Sequence, residues 1–315
     1  MLFLITFCFC AELCADTDKY IDQANGVQLM PPEEIVDLYL SNVAQDEKRN
    51  NVFRLNCSSL SCSSLWMPDS GNEGLGLVQT DVSVVLALPL LSEKLPLMIT
   101  PSFSHKQFDH KSYNSLDLYN TGVNFRLLFP VIDRKLSFDT AVSVLYCGTF
   151  EGGNRKSMCY PLHVAGIWNV NSQLKLVFGV AHLDRNNEYN WLPIGGLIWM
   201  PNPDFNVELL FPAMKIARRL TYFDRRDTGS KQNFTGWVYG MFEFDNGSWN
   251  YVKKGIEAKI DYSDVRFIIG YEHRCASGIT FGVESGCAIG REFEVQGLPK
   301  YKPDTGFFIK LRVTL

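Results

Sequence analysis

The most constraining feature of this chain is the two-residue period of its last nine residues. Apolar and polar positions alternate there, as Phe307, Ile309, Leu311, Val313 and Leu315 with Lys310, Arg312 and Thr314 between them. Because successive side chains of a β-strand point to opposite faces, this pattern predicts a strand with one apolar and one charged face. Such a strand is typical of the closing strand of a barrel whose outer surface meets lipid.

Internal segments repeat the alternation. Residues 81–88 and 136–144 each place Val, Leu, Phe or, at 140, Thr at every second position, with Ser, Asp, Ala or, at 85, Val between them. In residues 255–262, Glu257, Lys259 and Asp261 alternate with apolar residues, so we predict that Glu257 and Lys259 face the lumen. At about 20 residues per hairpin, the fold class is an all-β, closed antiparallel transmembrane β-barrel of about 12 strands, with 10 or 14 as alternatives.

Composition agrees with this fold class. A formal net charge of -4 gives no basic footprint, which excludes nucleic acid as a partner. The mean hydropathy of -0.05 with 13% aromatic residues suits a barrel, which exposes every second residue to lipid. A soluble all-β binding protein remains an alternative, because a sheet in water can also alternate.

The N-terminal part predicts export followed by a small head. Residues 1–15 hold an apolar run and a small residue, Ala15, before a polar stretch, which indicates a signal peptide although no Lys or Arg precedes the run. A lipoprotein cysteine at Cys14 and a buried first strand are weaker alternatives. Residues 16–75 are expected to form a periplasmic or plug segment with a short helix after Pro31 and Pro32, and residues 76–315 the barrel.

Removal of the leader would leave six cysteines: Cys57, Cys62, Cys147, Cys159, Cys275 and Cys287. They fall into three sequence-local pairs, which in an oxidising compartment makes all six disulfide candidates. A Cys147–Cys159 bridge would tie the base of a hairpin loop. The alternative is free thiols, and a metal site is not expected because no second Cys or His pair lies near Cys57 and Cys62.

Turn residues and aromatic residues mark the expected strand ends. The short signals Asp133-Arg134, Asn171-Ser172, residues 202–204, Asn246-Gly247 and Ser263-Asp264 predict periplasmic turns, and 106–115, 148–157, 224–233 and 290–304 predict external loops. Amphipathic rings favour the headgroup zone of a membrane. We therefore predict an aromatic girdle of Trp168, Trp191, Trp199, Tyr239, Trp249 and Tyr262.

Charged residues within strands are predicted to face the lumen. A charge on the lipid face costs about 2 to 4 kcal/mol near the bilayer midplane. The predicted lumen charge network consists of Arg185, Glu208, Glu257, Lys259, Arg291, Lys310 and Arg312. These side chains would form either a paired network that fills the barrel or the lining of a pore.

Residues 174–220 resemble an uncharacterised family of bacterial outer-membrane β-barrels frequent in planctomycetes. The likeness rests on Leu-Lys-Leu-Val-Phe-Gly-Val-Ala-His-Leu-Asp-Arg (174–185), Trp-Leu-Pro-Ile-Gly-Gly-Leu-Ile-Trp-Met-Pro-Asn-Pro-Asp (191–204) and Val-Glu-Leu-Leu-Phe-Pro (207–212), and shorter segments extend it over residues 77–315. The resemblance implies a surface barrel without catalytic residues to carry over. The chain departs from the usual aromatic ending of such barrels by finishing in Leu315.

These observations predict an outer-membrane protein that acts as a passive pore or a structural surface protein. The expected partners are outer-membrane lipid and the barrel-insertion machinery, with no cofactor and no metal; the oligomeric state stays open. The alternative is a lipid-modifying enzyme, for which the available residues are Ser102, Ser104, His105, His110, His163, His182 and His273. No spacing among them matches a nucleophile motif, so we predict no catalytic site.

Overall fold

The computed structural model describes residues 56–69, 74–89, 96–110, 113–132, 135–150, 155–184, 191–221, 235–253, 256–275 and 278–315. The predicted signal peptide and the predicted N-terminal helix lie outside these residues. The strands are β1 (Asn56–Met67), β2 (Gly76–Pro89), β3 (Pro96–His110), β4 (Tyr113–Ile132), β5 (Leu136–Gly148), β6 (Met158–Cys159), β7 (Leu162–Asn169), β8 (Leu174–His182), β9 (Trp191–Asn202), β10 (Phe205–Phe211), β11 (Met214–Thr221), β12 (Thr235–Lys253), β13 (Ile256–Arg274), β14 (Thr280–Val295) and β15 (Gly306–Thr314). A 3-10 turn, Arg155–Ser157, precedes β6.

The strands form one closed antiparallel barrel. Each long strand pairs with its neighbours in the chain, β5 pairs with β7, and β15 returns to pair with β1. Fourteen of the described strands make up the wall, while the two-residue β6 adds a short pairing beside β5. The predicted fold class is confirmed, and the strand number matches the higher of the two alternatives.

The barrel begins at Asn56, earlier than the predicted boundary at residue 76. β1 lies within the predicted head and pairs with both β2 and β15. The sequence hid this strand because small polar residues occupy both of its faces: Ser61 and Ser63 point inward, and Cys62 and Ser64 point outward. The barrel closes through β1, so the described part of the predicted head belongs to the wall.

The two ends of the barrel differ. The turns at residues 170–173 and 203–204 lie at one end, which we call the turn end, together with Leu315. Side chains of Asn171 and Asn202 accept hydrogen bonds from backbone amides in these turns, as the turn signals predicted. The described residues 68–69, 74–75, 149–150, 155–161 and 296–305 lie at the opposite end, which we call the loop end.

Two predicted turns are wrong. Asn246-Gly247 and Ser263-Asp264 pair with each other inside the 19-residue strands β12 and β13. The glycine serves packing: a Cβ atom on Gly247 would lie 1.9 Å from the Trp249 ring, so the indole can fold over this position only without a side chain there. Among the described helices, none is long and apolar enough to cross a bilayer.

The wall is tall on one side and short on the other. β12 and β13 each contain 19 residues, whereas β10 and β11 contain 7 and 8. Toward the loop end, beyond the tips of the short strands, the long strands close into a smaller ring. The ring closes where Gly148, at the end of β5, pairs in parallel with Asn250 of β12. Thr149 completes the junction by donating from Oγ1 to the Val252 carbonyl at 2.9 Å. Nine strands, β1–β5 and β12–β15, thus surround the loop end of the lumen.

Apolar side chains fill this nine-stranded ring. We call them the apolar plug: Leu65, Met67, Leu75, Leu77, Phe108, Leu118, Cys147, Trp249, Ile260, Tyr262, Ile268, Ala288 and Phe308. Phe108 lies near its centre, with its ring centroid 5.0 Å from Tyr262 and 6.3 Å from Trp249. All nine strands contribute at least one residue to the plug. The loop end of the lumen is therefore a packed core.

Candidate functional site: the sealed lumen

A cluster of paired charges lies against the plug. Lys106 Nζ is 2.6 Å from Asp245 Oδ2, and Arg266 donates to both Asp245 and Asp264. Tyr262 of the plug donates to Asp264 at 2.6 Å. Lys106, Asp264 and Arg266 are all at most 5% exposed. Buried charges persist only when paired, so this cluster locks β3, β12 and β13 together across the lumen.

A second cluster continues toward the turn end. Glu284 is 1% exposed, accepts a hydrogen bond from Tyr239 at 2.6 Å and lies 3.6 Å from Lys310 Nζ. Arg312 forms an ion pair with Glu272 at 2.6 Å. These side chains join β12, β13, β14 and β15. Lys310 and Arg312 thus face the lumen, on the polar face of the closing strand.

The short wall contributes its own pair to this cluster. Glu208 of β10 pairs in register with Lys215 of β11, which is 8% exposed. Lys215 Nζ lies 4.2 Å from the centroid of the Tyr239 ring, within the range of a cation–π contact. Glu208 therefore faces the lumen, where Asn206 donates to it at 2.8 Å.

A third cluster lines the lumen beside β4 and β5. Arg126 donates to both oxygens of Asp139, at 2.7 and 2.6 Å, in the bidentate geometry that Arg and a carboxylate favour. His163 of β7 lies 3.5 Å from the same carboxylate. Asp139 is 7% exposed. His163, one of the residues considered for lipid chemistry, therefore lies beside a buried carboxylate in the lumen.

Arg291 has a different role from the predicted one. Its guanidinium is 2% exposed and donates to the carbonyls of Leu75 at 2.7 Å and Asp304 at 3.3 Å, as well as to the Tyr262 hydroxyl at 3.2 Å. Leu75 and Asp304 belong to two different segments of the loop end. One buried arginine thus fastens both segments over the plug.

The predicted positions of Glu257 and Lys259 are wrong. Ile260 and Tyr262, at 2% and 1% exposure, belong to the plug, which turns Glu257, Lys259 and Asp261 to the outer face. Lys259 lies 3.5 Å from Asp261, and Glu257 lies 3.0 Å from Lys156 of the loop end. The faces are reversed here because the lumen of the nine-stranded ring is apolar. Arg185 lies outside the described residues.

Only three of the six residues predicted for the aromatic girdle lie on the outer face. Trp168, Trp191 and Trp199 point outward near strand ends, at 53%, 62% and 43% exposure. Tyr239, Trp249 and Tyr262 do not belong to a girdle, because each is at most 3% exposed and faces the lumen. Trp66, at 56% exposure, is an outward girdle position that the sequence analysis missed.

None of the described cysteines forms a disulfide: Cys62, Cys147, Cys159, Cys275 and Cys287 are thiols. In the β5–β6 ladder Cys159 lies opposite Leu145, two residues from Cys147, so the predicted Cys147–Cys159 bridge does not form. Cys275 lies in a turn and Cys287 well inside β14, more than about 20 Å along the strand. The side chain of Cys57 is not described, but Cys62 lies five positions further along β1, about 16 Å in an extended strand.

The candidate residues for lipid chemistry do not converge. Ser102 and Ser104 pair with Ser83 and Asp81 on the luminal face, whereas His105 lies on the outer face. His105 Nε2 is 2.9 Å from Asp117 Oδ1, and its ring stacks on Tyr119. His163 faces the lumen, and His182 packs against Trp191 on the outer face. His273 Nδ1 and the Tyr271 hydroxyl form a hydrogen bond of 3.2 Å. The side chain of His110 is not described.

Sequence reasoning did not select Lys106, Asp245, Asp264, Glu272 and Glu284 for the network. For Glu284 the strand register carries a signal, because this residue lies directly opposite Lys310 in the β14–β15 ladder. Alignment of the two strands would therefore have identified it. Lys106 and Asp245 are 139 residues apart and belong to strands that do not pair with each other. No local sequence pattern could have predicted the contact between Lys106 and Asp245.

Substitution of Glu284 by Gln is expected to destabilise the barrel by about 3 kcal/mol, because Lys310 and Arg312 would lose a buried counter-charge. The measurement is the shift in urea midpoint of the protein refolded in vesicles. The matched control is Glu292→Gln on the same strand, whose carboxylate meets Lys300 at 2.6 Å but is 35% exposed. This exposed pair should contribute about 1 kcal/mol or less. Equal shifts for the two variants would contradict a buried network.

No protein-family model and no curated protein matches this chain. Three solved structures are similar to it. They are the NanC porin (8% identity, TM-score 0.35, covering 81% of this chain and 98% of that one), LpxR from Salmonella typhimurium (11%, 0.36, 82% and 99%) and an outer membrane channel from Pseudomonas putida F1 (11%, 0.32, 84% and 97%). The cross-strand pairing itself establishes the architecture: the described strands form a closed antiparallel β-barrel of fourteen strands.

Proposed function

We propose that this protein spans an outer membrane and serves as a structural surface barrel with a sealed lumen. The observation that carries the proposal is the combination of an apolar outer face with an apolar plug inside. Within the described wall, the outward residues Phe178, Ile216, Phe267 and Ile309 are 45% to 49% exposed. A water-soluble barrel would expose polar groups at these positions.

The outer face of β13 supports a membrane of defined thickness. From the loop end it presents Glu257, Lys259 and Asp261, then the apolar Val265, Phe267 and Ile269, then Tyr271 and His273. The apolar stretch from Val265 to Tyr271 spans about 20 Å along the strand. This order of charged, apolar and aromatic residues suits an aqueous side, a hydrocarbon layer and a headgroup layer.

Orientation and assembly follow from the same proposal. Barrels of this class carry short periplasmic turns, and the turns of four residues between β7 and β8 and of two residues between β9 and β10 assign the turn end to the periplasm and the loop end to the outside. β11 ends and β12 begins at the turn end as well, so this orientation contradicts the prediction of an external loop at 224–233. Outer-membrane lipid and the barrel-insertion machinery are then the partners, with β15 as the strand presented for insertion. The resemblance in residues 174–220 is consistent with the uncharacterised planctomycete-type barrel family, to which we propose the chain belongs.

Two features favour a structural role over a pore or an enzyme. The plug occupies the outer end of the lumen, and the luminal charges beneath it pair with one another. The candidate serines and His105 lie on opposite faces of β3, so they cannot form a nucleophile and base pair. We therefore propose a noncatalytic barrel.

Two measurements on the refolded protein test this function. Migration on a gel should change on boiling, as expected for a membrane barrel, and planar-bilayer recordings should show small or no conductance. Migration unaffected by boiling would overturn the membrane barrel. Large, steady conductance steps from the unmodified protein would overturn the sealed lumen.

A further inference from the structure

A notch interrupts the barrel wall at the loop end, where the nine-stranded ring closes. β4 rises beyond the end of β5, since Tyr119 pairs with Gly148 and the strand continues to Tyr113. β12 rises on the other side, and residues 148 and 149 cross between the two strands. Above this crossing, no pairing joins the described parts of β4 and β12.

A cavity of about 190 Å³ lies in the notch. Its lining includes Ser115, Asp117 and Tyr119 of β4, Thr149 and Phe150 of the crossing, and Tyr251 of β12. An engineered protein cavity of about 150 Å³ holds a benzene molecule, so this one has room for a small organic group. The cavity combines one carboxylate, hydroxyl groups and three aromatic rings.

Asp117 provides the charge in the cavity. Its Oδ1 atom is 2.9 Å from His105 Nε2, whereas its Oδ2 atom has no hydrogen bond within the described part of the chain. The Asp117 side chain is 44% exposed. The neighbouring rings form a continuous stack, with centroid separations of 4.8 Å for His105 and Tyr119 and 4.4 Å for Tyr119 and Phe150. A carboxylate oxygen beside aromatic rings is the environment that ammonium groups prefer.

The position of Asp117 relates the cavity to the membrane surface. Asp117, Gln107, Val78 and Trp66 form one row of cross-strand partners, which continues through Ile309 and Ser285 to Ile269 of the apolar stretch. Because barrel strands tilt by about 35 to 45°, this row rises toward the loop end from Ile269 through Trp66 to Asp117. Trp66 is 56% exposed on the outer face, as a residue at the headgroup level would be. Asp117 therefore lies at or beyond the level of Trp66, and Phe150, which is 58% exposed, adds an aromatic side chain beside Tyr119.

We propose that the notch binds the protonated primary amine of a membrane lipid headgroup, of the phosphatidylethanolamine type. The amine would donate to Asp117 Oδ2 and the Ser115 hydroxyl, with Tyr119 and Phe150 beside it. This inference rests on the proposed function, because the lipid reaches the notch only if the barrel is in a membrane. A free alkylamine shares the chemistry, and the test separates the two sources.

The experiment is native mass spectrometry of the barrel released from mixed vesicles of phosphatidylethanolamine, phosphatidylcholine and phosphatidylglycerol at equal amounts. We expect retention of phosphatidylethanolamine above the other two lipids. Asp117→Asn should weaken that retention about tenfold, since the variant keeps the shape of the side chain and loses a charge-assisted hydrogen bond. The matched control is Asp261→Asn, an outward carboxylate at the same end that pairs with Lys259, and it should retain the lipid as the unmodified protein does.

The outcomes separate the two proposals. A barrel that enters vesicles and shows heat-modifiable migration but retains all three lipids equally would overturn the amine site and leave the proposed function standing. Failure to enter vesicles would overturn the proposed function itself. Displacement of bound phosphatidylethanolamine by millimolar ethanolamine would support the amine site, and stronger binding of free ethanolamine than of the lipid would overturn the lipid as its source.

Discussion

Combined substitution of Phe108 and Trp249 by Ala is expected to turn a barrel with little or no conductance into one that passes ions. The two rings lie 6.3 Å apart across the nine-stranded ring and are 2% and 1% exposed. Their removal would leave an opening at the centre of the plug, with Lys106 and Asp245 at its edge. Planar-bilayer recordings of the refolded variant measure the change.

The control for this variant uses the same two strands. Phe103 of β3 and Phe244 of β12 point outward, at 38% and 48% exposure, so their replacement by Ala removes two aromatic rings from the outer face. This pair should leave conductance unchanged. A plug variant that still migrates as a folded barrel and passes no current would show that other groups seal the lumen.

The plug variant is also expected to lose stability. Each truncation of a buried aromatic ring to Ala costs about 3 to 5 kcal/mol. Conductance should therefore be recorded on the fraction that retains heat-modifiable migration.

The second large effect is expected from Ile269→Arg on the outer face of β13. Ile269 is 72% exposed and lies between Phe267 and Tyr271 on that face. A charge near the midplane of a bilayer costs about 2 to 4 kcal/mol, which corresponds to about 30- to 700-fold in the folding equilibrium in vesicles. Urea titration of the protein in vesicles measures this loss.

Glu257→Arg is the matched control, because Glu257 occupies the same face of the same strand beyond the apolar stretch. Its side chain is 53% exposed and pairs with Lys156, so the control should change stability by about 1 kcal/mol or less. A comparable loss in both variants would mean that no hydrocarbon layer surrounds Ile269. The difference between the two variants therefore measures the membrane directly.

Local alternation correctly predicted the faces of several strands. On β15, Phe307, Ile309 and Leu311 point outward and Lys310 and Arg312 inward; on β5, Val142 and Val144 point outward. In these strands the lumen is polar, so the apolar face is the outer face. The prediction succeeded because a polar lumen and an apolar outer surface require the same two-residue alternation along a strand.

The same reasoning failed on the upper part of β13. Alternation there showed correctly that Glu257 and Lys259 lie on one face and Ile260 and Tyr262 on the other. It assigned those faces to the wrong sides, because the ring at this height is closed around apolar groups and lies beyond the proposed hydrocarbon layer. β1 was missed for a related reason, since Ser and Cys residues carry no contrast between its faces.

The sequence by itself determined that this chain forms a closed antiparallel barrel, because period-two patterns and turn residues act over a few neighbouring positions. The tertiary structure alone decided that apolar side chains fill the loop end of the lumen and which charges meet. The pairing of Gly148 with Asn250 creates the nine-stranded ring, and Lys106 reaches Asp245 across it. These contacts join residues about a hundred or more positions apart, and their geometry depends on the closure and register of the whole wall.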